Sequence, residues 1–229
     1  KQFTVQQDRC AMKVSTDACI QGAWTPIAGD ARYVLDIGAG TGLLSLMLAQ
    51  RNSDIFIDAI ELDKQAAQQA QENFSASPWA TRMNAICGDI KGHPFSRKYD
   101  MVICNPPFFQ NSLLGNNEER NNARHTITLS YNDLLIALDN VLDEKGFASV
   151  LLPPTEQEAW AYLLRQSGWR IHRRLFIKPK ADSVPNRVVT ICSKTMPEEV
   201  IDEQLVIYAS QNEYTPGAAD LLKPFYLKL

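Results

Sequence analysis

The chain has 229 residues, 45% of them hydrophobic, and a formal net charge of −3, enough apolar content to bury a substantial core in one domain. No stretch approaches the ~20 continuous apolar residues of a membrane-spanning helix, and Lys1 to Val5 lack the apolar run of a secretory signal, so the expected compartment is the cytoplasm. The five cysteines, Cys10, Cys19, Cys87, Cys104 and Cys192, form no Cys-x-x-Cys pair and are odd in number, which argues against a disulfide framework and a zinc knuckle.

In chain order, Phe3 to Val14 alternate apolar and polar positions around a polar turn at Gln7-Asp8-Arg9, which predicts a short hairpin. Ser15 to Trp24 read as a short helix capped by Ser15, Thr16 or Asp17. Tyr33 to Ile37 form a compact apolar strand; Gly38-Ala39-Gly40-Thr41-Gly42 then make a turn, and a helical pattern runs from Leu43 to about Arg51. Such a turn lets backbone approach a ligand, and the following helix N-terminus offers free N–H groups. Ile55 to Glu61 is a second strand. A carboxylate at a strand end about 20 residues beyond a glycine turn is where doubly wound folds hold ribose hydroxyls, which makes Glu61 a candidate.

A helix over Lys64–Phe74, a third strand Met83–Cys87 ending in Gly88-Asp89, and a fourth strand Tyr99–Cys104 follow. Asn111 to Thr126 read as a long loop over the site. Ser130-x-x-Asp133 opens a helix that stops at Lys145-Gly146, and Phe147–Leu152 is a fifth strand. Thr155-x-x-Glu158 opens another helix, ending at Ser167-Gly168; Arg170–Ile177 and Arg187–Lys194 read as antiparallel strands, with a short addition at Leu205–Tyr208. These alternations predict an α/β, Rossmann-like, doubly wound, mostly parallel sheet of seven strands with an antiparallel edge hairpin, all in a single domain. Gly38 to Gly42, Glu61, Asp89 and Asn105 would then share the carboxyl edge, where such sheets bind ligands.

Asn105-Pro106-Pro107-Phe108 closes the fourth strand. Proline cannot continue the ladder, and Pro106 pushes Asn105 into an extended conformation, so a stiff rim results. That rim presents an amide, free carbonyls and aromatic faces. It suits a planar substrate bearing an NH2 group: acceptors take its protons while a ring stacks on its face, and acceptors fixed there favour the pyramidal, nucleophilic amine in the transition state. Between Arg165 and Lys194 there are eight basic residues and one acid, a local +7 that leaves −10 for the rest of the chain, which makes an anionic partner plausible. His93, His125 and His172 lack ligand spacing, so no metal is expected.

Asp36-Ile37-Gly38-Ala39-Gly40-Thr41-Gly42 resembles the first motif of the class I S-adenosylmethionine-dependent methyltransferases, and Asn105-Pro106-Pro107-Phe108 resembles their amino-methylating signature. The glycine turn alone is a weak signal; the two motifs together, about 65 residues apart, are a strong one. At a finer level Asp8 to Asp17, Gly22-Ala23-Trp24, Pro78-Trp79-Ala80, Ala123-Arg124 and Phe225-Tyr226-Leu227 resemble the bacterial tRNA adenine-N6-methyltransferase family that modifies adenine 37 of a valine tRNA. The sequence departs from it in Ser15 and Ala18, where glycines are usual, and in Phe108, where relatives can carry Tyr.

The resemblance implies S-adenosyl-L-methionine as cofactor and tRNA as substrate, with residues 1–25 as a cofactor-covering extension of a monomer. It assigns Lys13, Thr16, Asp17, Asp36, Gly38, Gly40, Gly42, Glu61, Asp89 and Asn105 to the cofactor. Asn105, Pro106, Pro107 and Phe108 take the catalytic role, and Arg124, Arg173, Arg174, Lys178, Lys180 and Arg187 the RNA. A protein-glutamine methyltransferase fits the same acceptors, and a non-catalytic RNA-binding module on this fold is the third reading.

Overall fold

The structure, a computed structural model, describes residues 2–10, 13–106, 129–211 and 213–228. Its centre is an eight-stranded sheet ordered β3-β2-β1-β4-β5-β7-β6-β8, from β1 (Tyr33–Ile37), β2 (Phe56–Glu61), β3 (Met83–Cys87), β4 (Tyr99–Cys104), β5 (Leu142–Leu152), β6 (Arg170–Lys178), β7 (Arg187–Ser193) and β8 (Ile201–Val206). β1 to β5 pair in parallel. β7 runs antiparallel to both β5 and β6.

The expectation of seven strands with an antiparallel edge hairpin is therefore corrected in two details. The β6–β7 hairpin exists, but β7 inserts between β5 and β6, and the edge is an eighth strand, β8, parallel to β6. β8 reads poorly as a strand because it carries Asp202 and Glu203; both carboxylates are matched by arginines on β6.

Alternation along the strands builds two core layers. Val34, Met101 and Ile103 pack on one side with α1 (Thr16–Trp24), α2 (Leu43–Arg51) and α3 (Lys64–Ser75). Leu35, Val102 and Cys104 pack on the other, with the helices Tyr131–Val141 and Pro154–Gln166. Register brings the strand ends level: Ile37 faces Ile60 on one neighbour and Cys104 on the other, and Glu61 faces Cys87. Among the described residues no helix is long and apolar enough to cross a membrane.

Other boundaries moved for local reasons. Among the described residues of the predicted N-terminal hairpin no strand forms. Buried side-chain amides of α3 take the backbone partners that a second strand would have supplied: Asn73 Oδ1 accepts from Gln6 N–H at 2.9 Å, Asn73 Nδ2 donates to the Gln6 carbonyl at 2.9 Å, and Gln69 Oε1 accepts from Arg9 N–H at 3.1 Å. The Ser130–Asp133 capping box forms as expected, but its helix ends at Val141 and the chain is already strand from Leu142. The next helix is opened by Pro153 and Pro154 rather than by Thr155; proline in the first turn has no N–H needing a partner.

Candidate active site

The turn after β1 is tied to β2: Gly38 and Ala39 N–H donate to the Ile60 carbonyl at 2.9 and 3.2 Å. Gly38, Gly40 and Gly42 have φ of 70°, 55° and 79°, values that favour glycine. Their surroundings differ. Among the described residues a β-carbon on Gly38 would meet nothing within 4 Å, one on Gly40 would reach Cys10 Sγ at 3.4 Å, and one on Gly42 would strike the Phe74 ring. Gly38 thus leaves space for a ligand, whereas Gly42 serves helix packing.

A cleft of about 900 Å³ opens there, along the carboxyl edge. Lys13, Gly38, Gly40, Glu61, Asp89, Asn105 and Pro106 all line it. Glu61 is held by two backbone donors, Gly40 N–H to Oε2 at 2.8 Å and Asp63 N–H to Oε1 at 2.9 Å. Two donors use half of a carboxylate's acceptor capacity and leave the rest for hydroxyls. Asp89 Oδ1 accepts from Lys91 N–H at 3.0 Å, with the Lys91 ammonium 3.7 Å from Oδ2.

Asn105 follows the last residue of β4 and projects a buried amide oxygen, Oδ1, that has no hydrogen-bond partner among the described residues. A buried unpartnered acceptor costs stability, and here it sits in a cleft wall where an incoming N–H would satisfy it. Pro107 and Phe108 lie outside the described residues.

Four of the predicted cofactor residues stand behind the cleft surface. Asp36 is fully buried under the turn, its Oδ2 accepting from Ser45 N–H at 3.2 Å and Ser45 Oγ–H at 2.7 Å. Burial pushes its carboxyl up to about 7 against the opposing effect of those bonds. Gly42 packs on Phe74 as described. Thr16 and Asp17 open α1, where Asp17 meets Arg187 at 3.5 Å; burial raises the Asp17 pKa and Arg187 opposes it. Asp8, Arg9 and Cys10 join the cleft wall instead. Their part was hidden by the alternation that suggested a hairpin, although the resemblance had already placed residues 1–25 over the cofactor.

The basic window is largely answered within the fold. Arg173 pairs with Glu203 and lies 5.0 Å over the Trp24 ring, while Arg174 engages Asp202 through two bonds of 2.8 and 2.6 Å. Lys194 pairs with Asp139 at 2.8 Å, and Lys178 Nζ donates to the Ala181 carbonyl at 2.7 Å. Lys180 is exposed. Arg124 lies outside the described residues. Among those described, no group of three or more His, Cys, Asp or Glu side chains is placed to hold a metal ion.

Comparison with known proteins bears on this arrangement. The family described as "Methyltransferase small domain" matches residues 25–128. The tRNA1(Val) (adenine(37)-N6)-methyltransferase of Cronobacter sakazakii is 41% identical over 99% of this chain and 93% of its own length. The protein of the same name from Tolumonas auensis is 42% identical over 100% of this chain and 96% of its own. A crystal structure of a predicted O-methyltransferase from Agrobacterium tumefaciens superposes with a TM-score of 0.68 at 16% identity, covering 91% of this chain and 96% of that one, and so shares the fold.

Proposed function

Since the chain belongs to the tRNA1(Val) (adenine(37)-N6)-methyltransferase family, we propose that it methylates the exocyclic N6 amine of adenine 37 in the anticodon loop of valine tRNA, with S-adenosyl-L-methionine as donor. The observation that carries this reading is the unpartnered Asn105 Oδ1 in the same cleft as the Gly38–Gly40 turn and the Glu61 carboxylate.

The cleft fits the cofactor on this chain's own chemistry. The open side of Gly38 admits the amino-acid portion to close backbone approach, the free acceptor capacity of Glu61 matches a ribose diol, and Asp89 supplies an acceptor for the adenine amine. When bound, the cofactor supplies a sulfonium-activated methyl group. The remaining work belongs to the protein. Asn105 Oδ1 and the Pro106 carbonyl accept the two N–H protons of the target amine, which draws its lone pair out of conjugation and holds it for attack. An adenine must leave its stack to reach them, and a loop nucleotide pays least for doing so; Phe108 is assigned to stack on the extruded base. Lys178, Lys180 and Arg187, at the sheet end that bears Asn105, are assigned to the RNA backbone, with Arg124, Arg173 and Arg174 as further contacts. The whole chain acts as one catalytic domain, a cytoplasmic monomer, with residues 1–25 over the cofactor.

Incubation with isotopically labelled cofactor and either total tRNA or a ribosomal extract tests the reading. Label recovered as N6-methyladenosine at position 37 of valine tRNA is the expected result. Label in a glutamine side chain of a protein, or cofactor binding without transfer to either, overturns it.

A further inference from the structure

We infer that Gln21 is a positioning residue for the target-amine loop, so that α1 sets the geometry of Asn105 as well as walling the cofactor cleft. The inference rests on the role proposed for Asn105.

Gln21 is fully buried on α1 and reaches the end of β4 and the body of β5. Its Nε2 lies 3.1 Å from the Cys104 carbonyl oxygen, 3.2 Å from the Ser149 carbonyl oxygen and 3.4 Å from Ser149 Oγ. Ser149 Oγ is in turn 2.7 Å from Thr25 Oγ1, at the C-terminal cap of the same helix. Cys104 ends β4, and Ser149 is the β5 partner of Ile103. One amide group, with two N–H bonds to give, therefore bridges β4 and β5 at the point where β4 becomes the Asn105-Pro106 rim.

The carbonyl that Gln21 holds is half of the peptide group whose nitrogen belongs to Asn105. A planar peptide fixed at its oxygen is fixed at its nitrogen as well. On the other side Pro106 restricts Asn105 to extended backbone. Between these two restraints the Asn105 backbone, and with it the Cα–Cβ direction, is held before any substrate arrives.

The amide carries both a gain and a cost in stability: Nε2 satisfies the Cys104 and Ser149 carbonyls, while Gln21 Oε1 is buried without a partner among the described residues. What the amide adds is a fixed relation between helix and strands. α1 itself is anchored: Arg51 donates to the Gly22 and Thr25 carbonyls at 2.8 and 2.7 Å. Ala18, one turn earlier on α1, lines the cofactor cleft, so a single helix spans the two halves of the site.

Gln21→Leu and Gln21→Met, both close in size, are the variants to compare with the parent. The expected result is a fall in kcat of about 10- to 100-fold, the scale of a displacement of up to 1 Å at a reacting group, with the cofactor Kd and the KM for tRNA held within about twofold, whatever Tm the loss of the Cys104 and Ser149 bonds produces. In an Asn105→Ala background the same changes alter kcat by less than about twofold, because the two residues act through one position. Amide exchange at Asn105 quickens about tenfold in either variant, whether or not methyl transfer is measured. Unchanged kcat and unchanged exchange overturn the inference, as does an equal loss of kcat in both backgrounds, which would mark a general structural role. A parent protein that transfers no methyl group to tRNA defeats the functional reading instead, and the exchange measurement still decides the role of Gln21.

Discussion

The Phe74 ring occupies the space that a β-carbon on Gly42 would need, with Cε1 2.3 Å and Cζ 2.7 Å from that point. α3 therefore packs against the glycine turn at a distance that only glycine allows. Gly38, in the same turn and with the same sign of φ, has open space instead.

The two glycines should separate in experiment. Gly42→Ala combines a left-handed backbone with overpacking, and urea unfolding should show a loss of about 2–5 kcal/mol. Gly38→Ala carries the backbone term alone, about 1–2 kcal/mol, yet titration calorimetry should show the larger loss of cofactor affinity there. Equal effects of the two substitutions on stability would contradict the packing role of Gly42.

Asp36 makes stability depend on pH. Its carboxyl, ordinarily near 3.8, is pushed up to about 7 by burial. Between those values the folded chain binds more protons at this position than the unfolded chain does. Asp36 is therefore harmless below pH ~4, and its destabilising effect grows as pH rises to about 7, after which it is constant. Asp36→Asn does not titrate, so the stability of the variant relative to the parent should climb over that window, by on the order of 4 kcal/mol at most. Denaturant titrations of both proteins from pH 5 to 8 measure the difference; a pH-independent gap would mean that Asp36 is ionised throughout.

Much of the site was legible because its signals are local. The apolar runs of β1 and β4, the glycine turn and the Asn105-Pro106 stop each specify their own conformation, and the right ends of those strands come together once the sheet is parallel. What escaped depends on partners distant in the chain. The extended path of residues 2–10 is stabilised by Asn73 and Gln69, polar residues on a helix more than 50 positions away. β8 needs Arg173 and Arg174 to neutralise its acids. The insertion of β7 between β5 and β6 is a choice of strand order, on which hydrophobic periodicity is silent.

The pairing of Arg173 and Arg174 with β8 sorts the basic residues by expected effect on RNA. β6 runs parallel to β5, so Lys178 and the segment 179–186 lie at the same sheet end as Asn105. Lys178→Glu and Lys180→Glu should weaken tRNA binding across sequences and flatten its dependence on salt by about one unit of slope per lost phosphate contact. Arg173→Gln and Arg174→Gln, whose charges already answer Glu203 and Asp202, should change the slope less and loosen β8 more. Filter-binding isotherms at several salt concentrations decide between the two groups, and a steeper loss for the arginine variants would move the docking face onto the β6–β8 surface.

Asn105→Ala brings the main chemical assignment to a test with two opposed readouts. Among the described residues Asn105 Oδ1 has no partner, so losing that oxygen forfeits no hydrogen bond and relieves a buried acceptor whose cost is about 1–3 kcal/mol. Stability should be unchanged or higher. In the transition state the same oxygen accepts a hydrogen bond from an N–H of the target amine, a contact whose loss at comparable polar sites lowers kcat by about 10²–10³-fold. Cofactor affinity should stay within about twofold, because Gly38, Gly40, Glu61 and Asp89 remain in place. A residue that merely ends a strand would give the reverse pattern, with lower stability and preserved turnover. Single-turnover methylation at saturating cofactor, read beside a thermal melt of the same preparation, distinguishes the two: a variant that melts early and turns over at the parent rate would remove Asn105 from the chemistry.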